Sequence, residues 1–189
     1  MPFRIRDAVP DASNTDAKFI TAAFDSCIPH LATIGSASPW GTDSLSSVRP
    51  NLIDRYIAAV ADAERYRLTS SGPPVRVLIA DARLPSGEYL PVGAATLRGG
   101  YISKYVLEQK HLQDVTSRGL AGEEGGLMFL ETLVTDFSEA TREYRKGAAA
   151  ALVKYKREWV GTELGMSVIY LDCWAGNEGK LFKYVTFLE

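Results

Sequence analysis

The chain has 189 residues, of which 46% are hydrophobic and 23% charged, and its formal net charge is −2. This length and composition predict a single globular domain over residues 1–189, with enough apolar side chains to bury a sizeable core. A slightly negative net charge argues against a general nucleic-acid-binding surface, so no nucleic-acid partner is expected.

The few cysteines and histidines argue against a metal centre. Cys27 and Cys173 lie far apart in sequence, and neither has the spacing of a zinc ligand or of a redox pair. The chain contains no long apolar run, and its N-terminus lacks the apolar core of a signal peptide. We therefore expect a cytoplasmic protein with no metal and no membrane partner.

The N-terminal part of the chain predicts a strand and then a helix. Apolar and basic residues alternate over residues 3–6, which is typical of a strand. Residues 13–16 resemble a capping box, and apolar residues at helical spacing predict a helix from Thr15 to about Ile28. Pro29 is expected to end this helix.

A second helix and a hairpin are predicted next. Pro50 suits a first helical turn, and apolar spacing predicts an amphipathic helix over about 50–66. Residues 75–80 and 89–97 are apolar and predict two strands joined by a turn at 84–88. A glycine inside the second strand, Gly93, indicates a bulge or close packing.

The segment from Gly99 to Gly126 is the least regular part of the sequence. A short helix over about 101–112 is predicted, followed by a flexible, glycine-rich loop. A connection of this length in a compact domain is usually functional or disordered. We expect an insertion at about 99–126 that faces a substrate or acts as a lid, or else is disordered.

The rest of the chain is organised by the stretch from Leu127 to Tyr184. Residues 127–135 and 167–173 have the composition of buried strands. Between them, a basic turn leads into a helix from Ala148 to about Trp159. The solvated face of that helix is expected to carry four charged residues, namely Lys154, Lys156, Arg157 and Glu158.

The start of this helix has the chemistry of a phosphate site. A helix N-terminus presents unpaired N–H groups and a partial positive charge, and small residues let an anion approach closely. Arg145 and Lys146 add positive charge beside Gly147. The turn therefore predicts a site for a pyrophosphate-bearing ligand. The alternative is an ordinary helix start with basic residues nearby.

The whole stretch resembles the GCN5-related N-acetyltransferase (GNAT) family. Residues 145–150 fit its Q/R-x-x-G-x-G/A motif, with Ala148 where the first motif glycine belongs. Asn177 and Tyr184 stand at the family's seven-residue spacing, and residues 172–181 are similar to a subgroup signature. The resemblance implies an α/β (mixed α+β) fold. Its central sheet would be mostly antiparallel, with splayed fourth and fifth strands, and flanked by helices.

The resemblance also implies roles for particular residues. Asn177 would hold the pantetheine or the thioester, and Tyr184 would protonate the coenzyme thiolate. Glu131 would be the general base, unless it forms a salt bridge or is simply exposed; Asp172 is a second candidate. Trp40 would face the acceptor amine, unless it caps the core edge. Cofactor contacts would come from Leu133, Val134 and Thr135 through their backbone, and from Arg145, Lys146, Gly147, Ala148, Ala149 and Ala150 at the pyrophosphate.

The function implied is an acetyl-CoA-dependent N-acetyltransferase. Acetyl-CoA would be the acetyl donor, with direct transfer to the primary amine of a small molecule and no metal. The alternative is a catalytically inactive acyl-CoA-binding or interaction protein, suggested by Ala148 and by the chain ending at Glu189. A nucleotide-binding domain is a third reading, although the chain lacks a P-loop motif.

An exposed sheet edge is the last expectation. Family members continue into two further strands, whereas this sequence ends shortly after Tyr184. The strand over 168–173 would then have a bare edge, which is a template for pairing with another chain. We therefore expect a homodimer in which a partner covers this edge, or else a poorly stable, aggregation-prone monomer.

Overall fold

The computed structural model describes residues 3–37, 40–122, 126–165, 169–172 and 178. In this part of the chain a mixed sheet has the strand order β1-β2-β3-β4-β5. Strands β1 to β4 pair antiparallel in sequence order, and β5 pairs parallel to β4. The expected mixed α/β class is confirmed. The strands are β1 (Arg4–Asp7), β2 (Val75–Arg83), β3 (Tyr89–Gly99), β4 (Met128–Thr135) and β5 (Ile169–Tyr170).

Helices cover both faces of the sheet. Helices α1 and α3 pack on one face and α6 on the other. The 84–88 turn joins β2 to β3 as predicted, with the Leu84 N–H donating to the Glu88 carbonyl at 2.8 Å. The helices are α1 (Thr15–Thr33), α2 (Leu45–Val48), α3 (Leu52–Thr69), α4 (Lys104–Leu107), α5 (Gln113–Leu120) and α6 (Ala148–Glu163), with 3₁₀ turns at Lys110–Leu112 and Glu139–Thr141.

The central strands are apolar on both faces because both faces are covered. Side chains of a strand alternate between the two faces of the sheet. Val77 and Ile79 belong to the core under α1 and α3, whereas Leu78 and Ala80 belong to the core under α6. The continuous apolar run of β2 therefore reflects burial on both sides. None of the described helices is long and apolar enough to cross a membrane.

Pro29 does not end α1, so that prediction was wrong. The helix continues to Thr33 with Pro29 inside it. A proline removes one backbone hydrogen bond and clashes with the preceding turn. Packing on either side offsets this cost: Ile28 is 4% exposed, and the ring of His30 stacks on that of Phe137 at a centroid distance of 4.0 Å.

The capping box predicted at residues 13–16 is also absent. Asn14 is the N-cap, has a left-handed backbone conformation and makes no side-chain cap bond. The Asp16 carboxylate instead accepts from the Val9 N–H at 2.8 Å and from both terminal nitrogens of Arg6 at 2.7 and 2.8 Å. Arg6 also pairs with buried Asp81 at 3.0 Å. This charge network ties β1 to β2 and to α1.

The described part of the insertion is packed rather than loose. Helix α5 occupies residues where the sequence predicted flexible loop, so that prediction was wrong. A Cβ added to Gly119 would lie 2.8 Å from Leu127 Cδ1, which shows how closely α5 approaches the start of β4. Ile102 is buried beside Phe129, and Ser103 Oγ donates to an Asp172 oxygen at 2.8 Å.

Lys156 was predicted to lie on the solvated face of α6, and this was wrong. Lys154, Arg157 and Glu158 are exposed as expected, but Lys156 is 1% exposed and its Nζ has no hydrogen-bond partner among the described residues. Burial holds the pKa of Lys156 well below its ordinary value, because the charged form has lost its solvation. The protein therefore buries an unpartnered amine, which destabilises the fold.

Replacing Lys156 with methionine is expected to raise the free energy of unfolding at pH 7 by about 1–3 kcal/mol. The unfolded lysine takes up a proton below about pH 10.4, which the buried amine resists. The free energy of unfolding of the native protein therefore decreases as pH falls below that value. The stability gained by Lys156→Met should accordingly shrink as pH rises towards it. Urea unfolding at pH 7 and pH 10 measures both effects.

Lys154→Met on the exposed face is the matched control and should change stability by less than about 0.5 kcal/mol. Equal gains for Lys156→Met at both pH values would contradict the burial of an uncharged amine.

Candidate functional site

Strands β4 and β5 pair only at their beginning. Met128 and Phe129 lie opposite Ile169 and Tyr170 in parallel register. Continuing that register would place residues 171–172 beside the next residues of β4, but residues 171–172 are not in a strand. Within the described residues, β4 therefore has a strand partner only on its β3 side from residue 130 onwards.

The backbone of β4 presents hydrogen-bonding groups to this open side. Successive residues of a strand direct their N–H and C=O groups to opposite neighbours. Because the Asp136 N–H donates to the Val92 carbonyl of β3 at 3.0 Å, the groups of Leu133 and Thr135 point away from β3. The Thr135 carbonyl accepts from Cys27 Sγ at 3.2 Å. Burial raises the pKa of Cys27 to about 12, so the thiol remains a donor.

The start of α6 presents free backbone donors. Gly147 precedes the helix at φ +91°, a left-handed conformation that favours glycine. The N–H groups of Ala148 and Ala151 bond to carbonyls of the turn, at 3.0 Å each. Within the described residues, those of Ala149 and Ala150 make no hydrogen bond. Such a helix start is suited to bind an anion.

The first turn of α6 packs on the sheet where β3 and the end of β4 pair. A Cβ placed on Gly93 would lie 3.1 Å from the Val134 carbonyl oxygen and 3.5 Å from Ala148 Cβ. Gly93 thus packs closely, as its place in a strand indicated. The end of β4 and the first turn of α6 meet over this glycine.

Arg145 adds positive charge beside the turn. Its Nη1 donates to the Ser138 carbonyl at 3.2 Å, and its Cζ lies 4.5 Å from the centroid of the Phe137 ring. The guanidinium forms no ion pair within the described part of the chain. Lys146 is exposed on the same turn. The positive charge near α6 is therefore available to a ligand.

A cavity of about 470 Å³ lies beside this turn, between α1 and the segment that joins β4 to α6. Burial, and secondly the charge of Arg145, lower the pKa of His30 in its wall. Sequence reasoning did not identify this cavity. Two features of the sequence could have indicated the cavity. Polar residues stand one helical turn apart on α1, and two arginines stand three residues apart in the segment before α6. The cavity is lined by Ser26, Pro29, His30, Thr33, Phe137, Ser138, Arg142 and Arg145.

Glu131 lies at a bulge and is held by two arginines. The pairing of β3 with β4 shifts between Thr96 and Leu97, which leaves Glu131 as the extra residue. Its Oε1 accepts from Arg55 at 3.0 Å and its Oε2 from Arg98 at 3.1 Å. Glu131 therefore forms a salt bridge, which was the predicted alternative to a role as general base.

The other predicted site residues are placed as follows. Val134 lies opposite Ala94, with its backbone directed to β3 and its side chain buried. Trp40 is 37% exposed and does not line the cavity. Asn177 and Tyr184 lie outside the described residues.

Within the described residues, no group of three or more histidine, cysteine, aspartate and glutamate side chains could hold a metal ion. Comparisons with protein-family models, curated proteins and solved structures find no match to this chain.

The pKa of His30 is expected to rise when Arg145 is replaced by glutamine. The substitution removes the nearby positive charge while keeping most of the volume that buries the imidazole, so protonation becomes easier. An NMR titration of the imidazole signals measures the change. Arg67→Gln, on exposed α3 surface, is the control and should leave His30 unchanged. An unaltered titration in Arg145→Gln would show that the two groups do not interact.

Proposed function

We propose that this protein is an acetyl-CoA-dependent N-acetyltransferase of the GNAT type, acting on the primary amine of a small molecule. One observation carries the proposal. The open side of β4 and the free N–H groups at the start of α6 lie at the two ends of one connecting segment, in which Arg145 has no carboxylate partner among the described residues. Coenzyme A matches this arrangement because it joins an arm containing amides to a diphosphate.

The proposed cofactor contacts follow the two parts of that ligand. The outward N–H and carbonyl of Leu133 and the outward N–H of Thr135 would pair with amides of the pantetheine arm, as a neighbouring strand would, since the Thr135 carbonyl already accepts from Cys27. The free N–H groups of Ala149 and Ala150 would bind diphosphate oxygens, with Arg145 and Lys146 supplying charge. Val134, Gly147 and Ala148 would complete the cofactor-binding surface. Val134 would contribute its backbone, and Gly147 and Ala148 would leave room for the ligand because they lack bulky side chains.

The proposed chemistry is direct acetyl transfer. The amine nitrogen attacks the thioester carbonyl, an N–C bond forms, the C–S bond breaks, and the thiolate takes up a proton. Holding amine and thioester in contact supplies much of the rate. From the sequence resemblance we assign Tyr184 as the proton donor to the thiolate and Asn177 as the group that holds the thioester side.

The acceptor side has two proposed members. Glu131 would remove the proton of the amine through water, because both of its oxygens already accept from arginines. Exposed Trp40 would offer an aromatic face to the amine. A second copy of the chain would cover the side of β5 that has no strand partner among the described residues, giving a homodimer that light scattering can detect.

The ion pairs of Glu131 also favour a second candidate function. With both oxygens accepting from Arg55 and Arg98, the Glu131 carboxylate is held by ion pairs and is not free to contact an amine directly. This observation favours an acyl-CoA-binding protein that does not catalyse transfer. Release of free thiol from acetyl-CoA across a panel of amines distinguishes the two: binding without turnover on any amine selects the second candidate.

Arg145→Glu is expected to weaken acetyl-CoA binding by at least about tenfold. Loss of a charge-assisted contact costs about 1.5–3 kcal/mol, and repulsion from the diphosphate adds to this. Calorimetry measures the dissociation constant, and Arg67→Glu on exposed α3 surface controls for the change in net charge. If the native protein fails to bind acetyl-CoA and CoA at millimolar concentration, the proposed function is wrong.

Tyr184→Phe is expected to lower the turnover number by about 10²–10⁴-fold, the usual contribution of a general acid. Cofactor affinity should stay nearly unchanged, because the phenol oxygen acts only on the departing thiolate. Steady-state kinetics with calorimetry separates the two quantities. Turnover within a factor of about two of the native enzyme would mean that another group or water supplies the proton.

A further inference from the structure

The cavity beside the phosphate turn is not used by any of the roles above. One wall is α1, where Ser26, His30 and Thr33 stand about one helical turn apart. The other wall is the segment 137–145, which joins β4 to α6. Both charged residues that line the cavity at neutral pH are arginines. Its volume, about 470 Å³, is large enough for a phosphate group with part of a sugar.

The arginine charges in the cavity are incompletely neutralised. Arg145 is half-buried, and a single hydrogen bond joins its guanidinium to the described protein, at the Ser138 carbonyl. Arg142 pairs with Glu139 at 3.0 Å, but both side chains are largely exposed, and such surface pairs stabilise little. The nearby Asp136 carboxylate already accepts from the N–H and hydroxyl of Ser138 at 2.9 and 2.7 Å.

Stacked rings hold Arg145 in place. Its guanidinium lies over the Phe137 ring, which also stacks on His30. A guanidinium already held against an aromatic ring loses less conformational freedom when it binds an anion. The cavity therefore offers a preorganised cation, Arg145, and a second, exposed one, Arg142.

Arg145 lines the cavity and also precedes the free N–H groups at the start of α6. An anion in the cavity and a diphosphate at that helix would therefore be close neighbours. Coenzyme A carries this pattern, because its ribose bears a 3′-phosphate beside the diphosphate linkage. We propose that the cavity binds the 3′-phosphate of coenzyme A and makes the protein select coenzyme A over its dephosphorylated form. This inference rests on the proposed function.

The test compares coenzyme A with dephospho-coenzyme A, which differ only in that phosphate. Calorimetry on the native protein should show a preference of about tenfold or more for coenzyme A, the effect expected from charge-assisted hydrogen bonds. Arg142→Gln should reduce the preference to within about threefold by weakening coenzyme A binding alone. Arg67→Gln is the matched control, because Arg67 is also exposed and pairs with a glutamate three residues earlier.

Circular dichroism confirms that each variant is folded. Equal affinity of the native protein for both ligands overturns this inference and leaves the proposed function standing. Binding of neither ligand overturns the proposed function, and the inference with it. A preference that survives unchanged in Arg142→Gln overturns the assignment of the 3′-phosphate to this cavity.

Discussion

The candidate site depends on the need of the β4 backbone for hydrogen-bond partners. Backbone N–H and C=O groups need partners, and a strand normally meets that need through neighbours on both sides. Beyond Phe129, β4 has a described neighbour only on its β3 side, because β5 separates after Tyr170. Cys27 satisfies one outward carbonyl, that of Thr135. The remaining outward groups are left for water or for an extended ligand that carries amides.

The small residues around this edge decide what can approach it. Gly93 and Ala148 bring the first turn of α6 against the end of β4, and larger side chains there would push the helix away. Gly147 turns the chain into the helix and leaves the N–H groups of Ala149 and Ala150 without a partner among the described residues. Beside them lies the Arg145 guanidinium, which forms no ion pair within the described part of the chain. The proposed amide-bearing arm and diphosphate would bind to the strand side and to this helix start.

Local patterns in the sequence were sufficient where the governing interactions are local. The apolar run of β4, the basic turn and the alanine-rich start of α6 were predicted with nearly correct bounds, since they reflect strand burial and helix propensity. The exposure of Lys156, the end of a helix at Pro29 and the capping box were predicted wrongly. In each case a distant contact or the packing of a whole helix outweighed the local preference.

The sequence by itself determined the mixed α/β class, the order of the strand, turn and helix, and a helix start made of small residues beside two basic ones. Those properties follow from residue type and periodicity within a short stretch. Only the tertiary structure decided that Arg55 and Arg98 hold Glu131. It also decided that α1 and the segment before α6 lie on either side of an open cavity lined by Arg142 and Arg145. Both arrangements join residues far apart in the chain, and their distances depend on how helices pack on the sheet.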